Sequence, residues 1–118
     1  MCCPVLAAAR ILQGPDNVGA QVGSRVQLKC MFHHRSCREM MWARVEQSGS
    51  TELLYLGRRM RESYGDRYSV NVSQRGECTL NIIELHLSDA GPFTCSDLSD
   101  DSKKTAAITV IGMCFNHV

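Results

Sequence analysis

No stretch of this chain sustains the 3.6-residue apolar period of an amphipathic helix. Short apolar alternations recur instead at regular intervals, with turn residues between them. That pattern restricts the chain to an all-β architecture. Val26, Leu28 and Cys30 alternate with Arg25, Gln27 and Lys29 after the turn Gly23-Ser24, which describes a strand with one buried and one wet face. A second strand surrounds Trp42, with Trp42 and Arg44 on one face and Met41, Ala43 and Val45 on the other; Gln47-Ser48-Gly49-Ser50 closes it as a hairpin loop. Residues 53–56 read as the next strand, and 58–64 as an ambiguous edge segment ended by Gly65-Asp66. Tyr68, Val70 and Val72 alternate with Ser69 and Asn71. After Gln74-Arg75-Gly76, Cys78, Leu80 and Ile82 point inward, opposite Thr79, Asn81 and Ile83. Phe93 and Cys95 mark a further strand, and residues 107 or 108 to 111 the last, beyond a polar tip over 99–104. This number of short strands suits two packed antiparallel sheets.

At 118 residues the chain is one domain in size, and 44% apolar with 21% charged residues is an ordinary globular composition. A formal charge of +1 supplies no field for a polyanion, so no nucleic-acid partner is expected. Seven cysteines indicate an oxidising compartment and hence an extracellular protein. The count is odd, and Cys2, Cys3 and Cys114, which lie in the tails, are the candidates for the leftover thiol. No apolar run approaches the ~18 residues of a membrane helix, so any membrane association is expected through an anchor outside this sequence. Ala7-Ala8-Ala9 resembles a signal cleavage site. Residues 1–13 are read as a leader remnant or tail, 14–111 as the domain, and 112–118 as a tail or the start of a linker.

Cys30 within a strand, Trp42 in the next, and Asp89-Ala90-Gly91-Pro92-Phe93-Thr94-Cys95 near the end resemble the immunoglobulin superfamily. Its pattern is a cysteine in strand B, a tryptophan in strand C and Asp-x-Gly-x-Tyr-x-Cys leading into strand F. The resemblance implies a Greek-key sandwich in which Cys30 and Cys95 are bridged across the sheets under the indole of Trp42, with Leu28, Leu80, Ile82 and Phe93 in the core. Closing a loop of about 65 residues contributes on the order of 4 kcal/mol. The long separation of the two cysteines leaves room for two added strands, which favours the variable-type set. Arg67 and Asp89 stand where variable-type domains place a salt bridge at one end of the sandwich. Phe93 departs from the corner tyrosine and forfeits its hydroxyl bond, a loss of about 1 kcal/mol.

Cys37, between the strands of Cys30 and Trp42, and Cys78, at the entry of its strand, belong at the same end of such a sandwich. A second disulfide between them is expected, the alternative being two buried free thiols. The placement is similar to variable-like domains of germline-encoded immune-type receptors, including those of bony fish, where Cys-x-Leu-x-Ile precedes the strand-F motif; here it reads Cys78-Thr79-Leu80-Asn81-Ile82.

Cys30, His33, His34 and Cys37 are zinc-ligand types, yet a strand alternates faces and Cys30 is committed to the core bridge, so no metal is expected. Asp97, Asp100 and Asp101 read as a solvated loop in preference to a calcium site. No nucleophile elbow, zinc-protease motif or phosphate loop is present, so neither enzymatic activity nor a cofactor is expected. Asn71-Val72-Ser73 is an N-glycosylation acceptor. Arg58, Arg59 and Arg61, near Arg67, read as solvated edge-strand residues that discourage sheet pairing, in preference to a site for an acidic partner or sulfated glycan. Met40, Met41, Ala43 and Val45 form the more suggestive patch, the alternative being that Met40 or Met41 fills the loop base.

Residues 98–104 are short and polar and lack the aromatic anchors of an antigen-binding loop. The Phe-Gly-x-Gly joining motif is absent, and Val45 stands where paired antibody domains keep glutamine. The resemblance therefore implies a receptor module that binds a protein ligand or counter-receptor through the C, C′, F and G face, with Met41, Ala43, Val45 and Leu98 as contact residues. An adhesion domain, with a possible homodimer through the same face, and a soluble decoy are the alternatives.

Overall fold

The computed structural model describes residues 11–32, 37–57, 59–73, 75–99 and 102–112. Their strands are β1 (Ile11–Gln13), β2 (Val18–Gln21), β3 (Val26–Phe32), β4 (Met40–Val45), β5 (Thr51–Leu56), β6 (Arg59–Met60), β7 (Tyr68–Val72), β8 (Glu77–Ile82), β9 (Gly91–Asp97) and β10 (Lys103–Ile111). One sheet has the order β1-β3-β8-β7 and the other β2-β10-β9-β4-β5-β6. Strands β4, β5, β9 and β10 take the places of C, C′, F and G. The architecture is the expected all-β sandwich of the immunoglobulin variable type.

Two boundaries differ from the sequence reading. Ile11–Gln13 is strand, paired with β3, and Ile11 is buried in the core, so the fold starts before residue 14. The chain then crosses to the other sheet, where β2 runs parallel to β10. Gly14 allows the crossing: a Cβ there would lie 2.5 Å from Cβ of Lys104. Asn17 Oδ1 fastens it by accepting the Ala107 amide at 2.9 Å. Strand β10 also begins at Lys103, well before residue 107, because its polar first half pairs with β9 through backbone groups, which do not depend on apolar alternation.

Alternation places Val26, Leu28, Cys30 and Phe32 of β3 opposite the inner faces of β9 and β4, with Leu80, Ile82, Trp42 and Phe93 all buried in the same core. Cys30 and Cys95 are bridged across the sheets with their Cα atoms 6.6 Å apart, and Trp42 stands beside Cys95 in the β4–β9 ladder. A second disulfide joins Cys37, in a 3-10 turn, to Cys78 with Cα atoms 5.8 Å apart. Both sulfurs that a zinc site would need are thus committed to bridges, with different partners.

One end of the sandwich is closed by polar bonds. Arg67 Nη1 and Nη2 donate to Asp89 at 2.7 and 3.1 Å, and the Tyr68 hydroxyl and the His86 amide donate to the same carboxylate. Burial alone raises the Asp89 carboxyl, but the bonds from Arg67, Tyr68 and His86 outweigh it and hold the group below its ordinary value. Burial, reinforced by the bond to Asp89, pushes the Tyr68 hydroxyl up. The corner hydroxyl missing at Phe93 has a substitute. Arg44 lies over the Phe93 ring, 5.3 Å from its centre, and Nη2 donates to the Ser88 carbonyl at 2.6 Å. A guanidinium from the neighbouring strand thereby binds the backbone just upstream of Phe93.

Candidate binding face

Residues opposite one another on antiparallel strands point to the same side, so the register defines the outer face of the larger sheet. Its first row is Leu56, Met41, Ser96 and Lys103; the second is Leu53, Ala43, Thr94 and Thr105; the third is Thr51, Val45, Pro92 and Ala107. None of these side chains belongs to the core cluster between the sheets. Lys103 is the one charged residue in the three rows. The β4–β5 half is apolar apart from Thr51, and the β9–β10 half carries hydroxyls, with Thr94 and Thr105 Oγ1 atoms 3.1 Å apart.

The apolar half owes its width to a β-bulge. The pairing of β4 with β5 shifts by one residue between Trp42–Tyr55 and Ala43–Leu53, which leaves Leu54 as the extra residue. Leu54 and Tyr55 are consequently both buried in the core, while Leu53 and Leu56, 38% and 39% exposed, both face outward. Strict alternation would have put Leu53 and Leu56 on opposite sides. Sequence reasoning did not assign these two leucines to the face. Their signal is the unbroken run Leu53-Leu54-Tyr55-Leu56, which a two-residue period cannot accommodate.

Of the four residues expected to form the contact surface, Met41 and Val45 are half-buried members of the outer rows. Leu98, 49% exposed, follows β9 at the rim and donates its amide to the Glu39 carbonyl. Ala43 is a correction: at 1% exposure its methyl is covered in the row between Leu53 and Thr94, so it offers almost no area of its own. Met40 lies inside, fully buried in the core.

The remaining expected sites are scattered. Asn71 is exposed on β7, the edge strand of the opposite sheet. Asp97 is no solvated loop residue: it is buried at the end of β9, where Oδ1 accepts the Ser99 amide at 2.9 Å and hydroxyl at 2.6 Å. Arg59 is exposed on edge strand β6, and Arg61 pairs with Glu52 at 3.7 Å. Cys2, Cys3, His33, His34, Arg58, Asp100, Asp101 and Cys114 lie outside the described residues. No described helix is long and apolar enough to cross a membrane.

Two sheets stapled through their centre, with one broad face of low charge turned outward, define a recognition module. The immunoglobulin V-set domain family model matches residues 13–111. The chain belongs to that family, whose domains commonly bind protein partners, and its two disulfides suit an extracellular setting. A search of curated proteins returned no match.

Proposed function

We propose that this domain is the extracellular recognition module of an immune-type cell-surface receptor and binds a protein ligand through the β10-β9-β4-β5 face and its neighbouring loops. The observation that carries this reading is the composition of the face: twelve outward positions hold Met41, Val45, Leu53 and Leu56 with a single charge. Charge depletion around adaptable apolar side chains is the mark of an interface centre, whereas ordinary domain surface mixes charges throughout. The face is also preorganised, since its side chains stand on paired strands and little ordering entropy remains to be lost on binding. A glycan at Asn71 would stand on the opposite sheet and leave this face free.

The test is a screen of the recombinant domain against cell-surface proteins, followed by Val45→Arg and Leu53→Arg, with Val72→Arg on the opposite sheet as the control. Burying an unpaired guanidinium at the interface centre is expected to weaken ligand binding at least about 30-fold, roughly 2 kcal/mol. The control should bind like the parent. Unchanged affinity in both face variants rejects the assignment.

A further inference from the structure

The register of β3 and β8 brings one cysteine of each disulfide side by side. Cys30 and Cys78 belong to different bridges, yet they stand directly opposite each other in the antiparallel ladder, and both point into the core. Opposite residues on such strands have Cβ atoms about 4.5–5.5 Å apart, just beyond the roughly 3.5–4.5 Å of a disulfide. All four bridged cysteines are buried, at 0–1% exposure, so a sulfur freed within the cluster has the other bridge as its neighbour.

We propose that the Cys37–Cys78 bridge guards the core bridge: opening it frees Cys78 to take Cys30 away from Cys95. The opening is a two-electron reduction by a dithiol reductant, which is oxidised to its own disulfide. The Cys78 thiolate then attacks Sγ of Cys30; the Cys30–Cys78 bond forms as the Cys30–Cys95 bond breaks, and Cys95 departs as a thiolate. This second step is exchange, with no net oxidation. The product carries its bridge within one sheet, between neighbours already held by hydrogen bonds, and the covalent tie between the two sheets is gone. Strand β9, which carries Cys95, is central to the binding face, so the device links redox state to the cohesion of that face. Cys37 makes no contribution to the core staple itself; its role is to keep the sulfur of Cys78 occupied.

The proposal predicts an asymmetry between two variants of the full chain. Each is folded in an oxidising medium, quenched in acid, alkylated and peptide-mapped without reductant, with Cys2, Cys3 and Cys114 followed in the same map. In Cys37→Ala, Cys78 is expected to capture about a tenth or more of Cys30, with an equal share of Cys95 alkylated. Cys78→Ala should retain only the Cys30–Cys95 link, with Cys37 alkylated. A Cys37→Ala sample in which Cys30 stays with Cys95 and Cys78 is alkylated throughout overturns the proposal. Should Cys37→Ala fail to fold, the unaltered protein is treated with limiting dithiothreitol. Among the singly reduced molecules about a tenth or more are then expected to be alkylated at Cys37 and Cys95 with Cys30 joined to Cys78, and a map with no Cys30–Cys78 link overturns it.

Discussion

Replacing Arg67 by alanine isolates the value of the bonded end of the sandwich. The carboxylate of Asp89 is 1% exposed and takes two bonds from Arg67, one from Tyr68 and one from the His86 amide. Breaking a fully buried pair by removing one partner costs about 3–5 kcal/mol, because the other charge is left uncompensated. Two of the four bonds survive here, and the Arg67 side chain is 21% exposed, so water can replace part of what is lost. The expected cost is therefore about 2–3 kcal/mol at pH 7, or a fall in melting temperature of roughly 8–12 °C for a domain of this size. Its pH dependence is diagnostic. The folded pKa of Asp89 is depressed, so the stabilisation is fully present above the unfolded value, about 3.9, and is lost as pH falls through the folded one. Urea unfolding of parent and variant at pH 7, 5, 4 and 3 should show the deficit shrinking at the acid end, where protonation removes the stranded charge. A deficit below about 1 kcal/mol at pH 7, or one that stays constant to pH 3, refutes the reasoning.

The bulge in β5 makes adjacent leucines unequal: Leu54→Ala should cost about 2–5 kcal/mol, and Leu53→Ala under about 0.5 kcal/mol, in the same unfolding assay. The reverse order would put the bulge in the wrong place. Phe93→Tyr should gain less than the usual ~1 kcal/mol of a hydrogen bond, since Arg44 already occupies the Ser88 carbonyl; a full gain would argue against that substitution of roles. Protein made in eukaryotic cells should lose mass on glycosidase treatment, and Asn71→Gln should abolish the shift; an unchanged mass dismisses the acceptor site.

The chain's own pattern determined the class of fold. Period-two alternation in β3 and β8, two cysteines facing inward, and a tryptophan beside one of them leave few arrangements other than a stapled sandwich, because each feature depends on local geometry that any strand imposes. The resemblance carried by Cys30, Trp42 and the Asp89–Cys95 motif supplied the pairing. Tertiary structure alone decided which residues form the binding face. Leu53 and Leu56 share that face only because β5 carries one extra residue against β4, and Ala43, on the same face, is covered. The same holds for Arg44 in place of a tyrosine hydroxyl, for the burial of Asp97, and for the apposition of Cys30 with Cys78. Each depends on the register between strands distant in sequence, and a register is a property of two strands together that neither one encodes by itself.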